Sequence, residues 1–471
     1  MRIFKEIVGF GAGFGVMKII LAGCGKVGST LVKELTAEGH DLTVIDQNGA
    51  VMESLMESYD IIGVQGNSAA MSVLEDANVQ ETQLLIAVTD EDEVNLLTCL
   101  TAHAMNPQIH TIARIRSSDY REQSYRMRSQ YALNMIINPE ETAAYEIARH
   151  LQMPGFLKIE SFNRSAAMMA ELRVKGGSKL DGLLLNQLGS VVKSRILICA
   201  VQRGDACIIP DGSFRMQPDD LLYITGAQAS LADLFNELGV ISRKARSAMI
   251  VGGSQTSYYL AQELQKSRID TTIIEIDPDK CSLLASELDK ATIVQGDGSS
   301  QDFLEQEGIA SFDSFITLTG LDELNIVMSM YASERNVPTV VTKLSHAENN
   351  RILDRLPIGT TISPKTLVSD GIIRYVRAMQ NKKGAALTIH MIAQGKGEAI
   401  EFNVDDDTLY TDTPLKDVPT RKNVLIATIS RGWHSELATG SSVYHKGDTV
   451  VVIANSDRRI LKLNDVFEDA A

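Results

Sequence analysis

One plan runs through this chain twice, which limits it to folds made of tandem, equivalent copies. A strand-like run, Lys18-Ile-Ile-Leu-Ala22, enters Gly23-Cys24-Gly25-Lys26-Val27-Gly28, then a helix-like stretch and a strand ending in Val44-Ile-Asp46. Met249-Ile-Val251 likewise enters Gly252-Gly253-Ser254-Gln255-Thr256-Ser257, a helix-like stretch and Ile273-Ile-Glu275. Gly23 and Gly252 are 229 residues apart, as are Asp46 and Glu275.

Within each copy, short apolar strands alternate with helical stretches. The spacing predicts strands at 18–22, 41–46, 61–64, 84–88, 109–115 and 133–137, and helices over 26–38, 50–58, 68–77, 92–105, 119–130 and 139–151. Such alternation implies right-handed crossovers and a parallel sheet. Gly39 and Asn106-Pro107 stand where helix-ending signals belong. From about 155 to 240 the strands shorten, at 170–174, 196–201, 207–209 and 221–225, with turn signals such as Pro210-Asp-Gly212 between them. Residues 424–432 echo 196–204, so the smaller domain is duplicated too. The fold class is α/β: two tandem Rossmann-type doubly wound parallel sheets, each followed by a small α+β domain. The expected domains are a disordered extension over 1–16, a Rossmann domain over 17–139, a crossover helix and linker over 140–158, and a small domain over 159–243. The plan repeats as 248–364, 365–384 and 385–471.

Composition narrows the function. A chain of 471 residues exceeds one hydrophobic core. Aromatics at 5% disfavour a stacking platform for single-stranded nucleic acid. A net charge of −15 disfavours phosphate-tracking surfaces and attraction to anionic lipid, so no nucleic-acid partner is expected and any membrane association runs through a protein. No uncharged apolar run approaches the ~20 residues of a spanning helix, and direct lipid insertion is not expected. The N-terminal stretch lacks an apolar signal-peptide core and a small-residue cleavage site, and Met17 is a candidate native start. The five cysteines form no Cys-x-x-Cys pair and the eight histidines no ligand spacing. Cys24 is the one thiol placed at a helix start, where thiol pKa values fall and redox chemistry becomes a candidate role.

The glycine pattern carries the chemistry because it follows a strand, opens a helix and precedes an acid ending the next strand. Gly23 forms the tight turn, Gly25 lets backbone approach a pyrophosphate, and Gly28 permits close helix packing. Free amides at the helix start hold phosphates. Asp46 accepts from ribose hydroxyls, and its charge disfavours a 2′-phosphate, so NAD rather than NADP is expected. Gln65-Gly66-Asn67 matches Gln295-Gly296-Asp297, and Thr89-Asp90-x-Asp92-x-x-Asn95 matches Thr319-Gly320-x-Asp322-x-x-Asn325, all at strand carboxyl ends where ligands collect. Arg114, ending the fifth strand, is either a counter-charge to phosphate or a solvated strand end. The second copy departs from the pattern: Ser254 and Ser257 add side chains at the two close approaches, while Glu275 keeps the carboxylate. Weaker binding, a different nucleotide or an empty scaffold remain open for Gly252, Gly253, Ser254, Gln255, Thr256, Glu275 and Asp297. No Ser-His-Asp or Cys-His constellation and no acid–base pair stands out.

The domain order, the run 18–28, Val44-Ile-Asp46, Gln65-Gly66-Asn67, Ala87-Val-Thr-Asp90 and Ile112-Ala-Arg114 together resemble the TrkA family. These are cytoplasmic regulatory subunits of bacterial Trk potassium uptake systems, built from RCK (KTN) domains. The resemblance covers about 17–471. It implies NAD+ or NADH binding at Gly23, Cys24, Gly25, Lys26, Val27, Asp46, Thr89, Asp90 and Arg114, with Asn67 beside them and ATP or ADP as further ligands. It also implies a homotetrameric ring, peripheral on the cytoplasmic face of the inner membrane, docked beneath a TrkH- or TrkG-like potassium-translocating subunit. Asn138-Pro139 and Ser363-Pro364 would open the helices that pair domains in this family. The expected function is nucleotide-dependent gating without catalysis. The rival is an NAD-dependent oxidoreductase with a degenerate second half.

Overall fold

The computed structural model describes residues 16–126, 128, 130–152, 159–162, 167–204, 206–238, 245–345, 353, 356–379, 386–393, 396–432, 434–455, 460 and 462–468. The expected extension over 1–16 therefore lies, but for Val16, outside the described residues. The chain forms two units, Met1–Ala148 with Ala245–Ile373, and Arg149–Lys244 with Arg374–Ala471.

The first unit holds both Rossmann-type sheets. The first runs β1 (Lys18–Ala22), α1 (Lys26–Ala37), β2 (Asp41–Asp46), α2 (Gly49–Ser58), β3 (Ile62–Gln65), α3 (Met71–Asp76), β4 (Leu84–Ala87), α4 (Asp92–Met105), β5 (His110–Arg114), α5 (Ser118–Arg126) and β6 (Met135–Ile137). Its order is β3-β2-β1-β4-β5-β6, wholly parallel. Helices cover both faces of such a sheet, so its strands read as unbroken apolar runs: Ile19 to Ala22 and Leu84 to Ala87 are all buried. The reversal of order between β1 and β4 opens a crevice at the strand carboxyl ends.

After α6 (Pro139–Gln152) comes the first small domain: β7 (Ile159–Ser161), β8 (Ala167–Arg173), β9 (Ile196–Arg203), β10 (Ala206–Ile208), β11 (Leu221–Ala227) and α7 (Gln228–Leu238). The second Rossmann copy then repeats the first with β12 (Ser247–Val251), α8 (Gln255–Lys266), β13 (Asp270–Glu275), α9 (Pro278–Glu287), β14 (Ala291–Gln295), α10 (Gln301–Gln306), β15 (Ser314–Thr317), α11 (Asp322–Glu334), β16 (Thr339–Lys343) and β17 (Thr360–Ile362), in the order β14-β13-β12-β15-β16-β17. After α12 (Pro364–Met379), the chain closes with β18 (Ala386–Ile392), β19 (Gly397–Asn403), β20 (Val424–Arg431), β21 (His434–Leu437) and β22 (Thr449–Asn455). The small sheets, β10-β9-β11-β8-β7 and β18-β19-β22-β20-β21, have equivalent orders. In the second unit they share one apolar cluster: Cys199, Ala200 and Tyr223 pack with Ile392, Ala427 and Val451. The Tyr223 hydroxyl accepts from Ala393 N at 2.8 Å across that seam.

Two helices differ from the sequence reading. The third begins at Met71 rather than 68, because Asn67 builds a turn first: its Oδ1 accepts from Ala69 N at 3.0 Å and its carbonyl from Ala70 N at 3.0 Å. The fifth spans Ser118–Arg126, short of the expected 130.

Buried asparagines lock the crevice ends. Asn95 Oδ1 accepts from Thr89 N (2.9 Å) and Thr89 Oγ1 (2.7 Å), and Nδ2 donates to Thr89 O (3.1 Å) and Arg114 O (3.0 Å). Asn325 makes the same set with Thr319 and Lys343. Asn95→Ala leaves these groups unpaired out of water, and urea unfolding followed by circular dichroism should report a loss of about 2–3 kcal/mol in the first unit's transition.

Candidate functional site

Gly23 bends at φ +100°, and an added Cβ would lie 2.8 Å from Thr89 N, so the β1–α1 turn accepts only glycine. At Gly28 a Cβ would stand 1.9 Å from Gly23 O, which lets α1 lie directly on the turn. At Gly25 the space is open within 4 Å, so no protein atom demands a glycine there. What that opening leaves bare is the start of α1, which carries no side-chain cap. Uncapped amides and an unfilled approach fit a bound diphosphate.

Beside this opening lies a cavity of about 230 Å³ lined by Gly23, Gly25, Asp46, Gln47, Thr89 and Asp90, among others. Asp46 is fixed in it by accepting from Cys24 N at 2.6 Å and Asn48 N at 2.8 Å. Its remaining lone pairs are free to take hydroxyls. The structure thus brings Gly23, Gly25, Asp46, Thr89 and Asp90 to one place. Lys26 is exposed on the first turn of α1, and Val27 is buried against the core. Asn67 is exposed and serves its own turn.

Arg114 does not line the cavity. Its Nη1 stands 3.8 Å from the exposed Asp90 carboxylate, and its buried Nε has no hydrogen-bond partner among the described residues. Burial, then the neighbouring Arg116, pull its pKa below the usual guanidinium range, with Glu140 opposing. Lys343, ending β16 in the second copy, is also depressed, first by burial, with Glu140 and Asp322 opposing.

Cys24 corrects the sequence reading. Burial, and then the charge of Asp46 and a hydrogen bond to it, push the thiol up to about 12, against the effect expected of a helix start. A thiol so raised is a poor nucleophile and a poor redox centre.

In the second copy the cavity is about 310 Å³, lined by Gly252, Gly253, Ser254, Glu275, Ile276 and Asp297, among others. Glu275, buried, accepts from Gly253 N and from Asp277 N (2.8 Å). Ser257 is tolerated at the close approach because its Oγ donates to Gly252 O. Ser254 and Ser257 form a reciprocal cap at the start of α8. Gln255 faces a different cleft, which it lines with Asp90, Glu91, Arg116 and Glu140 of the first copy. Thr256 is buried.

The sequence reading missed the contact between copies. Tyr259, buried on α8, donates to Arg116 O at 2.8 Å, and Asn138 Nδ2 donates to the Tyr259 hydroxyl at 3.3 Å. Arg116 in turn donates to Asp90 O, and its own amide donates to Asp92 Oδ2 at 2.8 Å. The helix that starts at one glycine turn is therefore bonded to the rim of the other. Tyr259 stands 229 residues after Thr30, and that exchange of a small residue for a phenol was the available signal.

Two parallel six-stranded sheets with glycine turns, each followed by a small antiparallel sheet, define tandem RCK domains of Rossmann-type N and smaller C parts. The TrkA-N domain family matches residues 19–139 and 248–364, and the TrkA-C domain family matches 169–239. The chain belongs to the TrkA family. It is 29% identical over 457 residues to the Trk system potassium uptake protein TrkA of Halomonas elongata, covering 96% of this chain and 99% of that one. Among solved structures, the GsuK RCK domain aligns with a TM-score of 0.62 at 16% identity, covering 97% of both chains. The GsuK channel bound to NAD aligns with a TM-score of 0.62 at 16% identity, covering 97% of this chain and 80% of that one. Among the described residues no helix is long and apolar enough to cross a membrane.

A thiol titrating near 12 rather than 9.0 holds about a thousandfold less thiolate at neutral pH. Neutral Cys24 favours the fold fully below pH about 9, and that contribution fades as the pH climbs toward 12. Mass-mapped iodoacetamide labelling should find Cys24 about a thousandfold slower than an ordinary thiol at pH 7, its rate climbing about tenfold per pH unit with no plateau near pH 9 in the folded chain, and fast in urea.

Proposed function

We propose that this chain is a nucleotide-sensing regulatory subunit of a Trk-type potassium uptake system. It takes NAD+ or NADH at Gly23, Cys24, Gly25, Lys26, Val27, Asp46, Thr89, Asp90 and Arg114, with ATP and ADP as further ligands there, and catalyses no reaction. The domain limits 17–139, 159–243, 248–364 and 385–471 are the working parts of this reading.

One observation carries it. The cavity beside the open, uncapped turn of the first copy is also lined by Asp90, whose carbonyl accepts from Arg116, and Arg116 O accepts from Tyr259 on α8 of the second copy. Asp46 holds the ribose end, and the amides of the α1 start hold the phosphates. A ligand that settles there favours one placement of the Asp90 loop, and that preference reaches α8. A ligand shifts an equilibrium only by its differential affinity for the two arrangements. A coupling of ~1–3 kcal/mol alters activity from several-fold to about a hundredfold. Relatives named for Trk potassium uptake along nearly the whole chain, and a similarly folded channel described with NAD bound, support the direction of this reading.

The output is mechanical. A homotetrameric ring, peripheral on the cytoplasmic face of the inner membrane, transmits the shift to a TrkH- or TrkG-like subunit through protein contacts. The net charge of −15 suits docking on a protein rather than on anionic lipid.

The full chain should gain about 2.7 kcal/mol of stability with NAD at 100 times its dissociation constant, seen as a thermal shift. Asp46→Ala should remove the part of that shift that the first cavity supplies and abolish the nucleotide response of potassium uptake in cells. Tyr259→Phe should keep the shift and cut the uptake response several-fold, because only the bond between copies is lost. Unchanged uptake responses in both variants would sink the proposal, and steady NADH consumption by the full chain would favour the oxidoreductase.

A further inference from the structure

We infer that the cavity of the second copy takes a ribonucleoside with a flat base and is indifferent to its phosphates. The inference rests on the nucleotide reading of the first copy, from which the second departs in two opposite directions.

At the phosphate end, support is withdrawn. Ser254 Oγ accepts from Ser257 N at 3.3 Å and bonds Ser257 Oγ at 3.0 Å, while Ser257 Oγ accepts from Ser254 N at 3.3 Å. The amides of Ser254 and Ser257 are taken by the chain's own hydroxyls, and a phosphate gains those two only by displacing them. In the first copy the corresponding helix has no side-chain cap. The exposed Lys26 of that helix also becomes the neutral Gln255, which faces another cleft.

At the base end, support is added. Gln47, Glu91 and Val94 line the first cavity, and the corresponding residues of the second are Ile276, Leu321 and Leu324. Ile276 and Leu321 line that cavity while remaining 65% and 62% exposed. Large apolar side chains left in water at a cavity wall are stabilised when a flat apolar body covers them. Glu275 stays in place, held by two backbone amides and retaining lone pairs for vicinal ribose hydroxyls. Apolar walls for a base, a carboxylate for a diol and a phosphate seat with two of its amides already taken together specify a nucleoside, with adenosine as the probe.

The test uses the full chain carrying Asp46→Ala, which silences the first cavity, and equilibrium dialysis with adenosine, 2′-deoxyadenosine, AMP, ADP and NAD. Adenosine, AMP, ADP and NAD should bind within about threefold of one another, and 2′-deoxyadenosine about tenfold more weakly. Adding Ser254→Gly and Ser257→Gly should tighten ADP and NAD about tenfold and leave adenosine unchanged. Adding Leu321→Glu should weaken all of them about tenfold; if it unfolds the chain, Ile276→Gln serves instead. Saturable adenosine binding that is absent, or that is more than about tenfold weaker than ADP or NAD, overturns the inference. NAD affinity that Asp46→Ala leaves unchanged counts instead against the reading of the first copy, so the two failures are distinguishable.

Discussion

Everything at the candidate site follows from the demand that a parallel sheet places on its connections. Each strand must be re-entered from the same end, so every return crosses a face as a helix and all outgoing loops gather at the carboxyl edge. In each copy that edge holds a glycine turn, the carboxylate that ends the second strand and an asparagine clamp. Asn95 and Asn325 hold the edge in register by bonding the fourth and fifth strand ends together. The glycine turn needs the helix to lie within touching distance of the strand, a distance that Gly28 permits outright and Ser257 permits only by donating to the turn itself.

The two copies thus solve one geometric problem with different chemistry. A hydroxyl in the second copy does for the helix start what an external anion can do in the first. This swap explains how a duplicated fold keeps its shape while its sites diverge: the backbone tolerates either solution, and only the surface offered to a ligand changes. The cross-bond from Tyr259 then joins a helix that carries its own cap to the loop beside one that does not.

Much of the fold was legible because parallel strands, buried on both faces, advertise themselves as apolar runs. All six strand positions of the first sheet lie within a residue or two of their expected places. The glycine turn and the place of Asp46 at the end of β2 were readable because each is marked in the local sequence pattern. Three features were not. The thiol of Cys24 takes its character from burial and from Asp46, 22 residues away, which outweigh the helix start. The third helix was expected early because the turn made by Asn67 looks, by composition, like helix. Tyr259 gained its meaning only when the second copy packed on the first. Arg114 read equally well as a phosphate partner or a strand-end cation, and only the packing around it shows a side chain 11% exposed and facing Asp90.

The shared apolar seam in the second unit bears on how the chain comes into being. Tyr223 emerges from the ribosome long before Ile392, Ala427 and Val451, which complete its surroundings. Until the last fifth of the chain is made, the first small sheet presents an unfinished apolar face to the cell. Covalent fusion of the copies turns what would be an encounter between separate molecules into closure of a tether, at high effective concentration. Duplication within one polypeptide therefore shortens the time for which a nascent chain must protect its own surface.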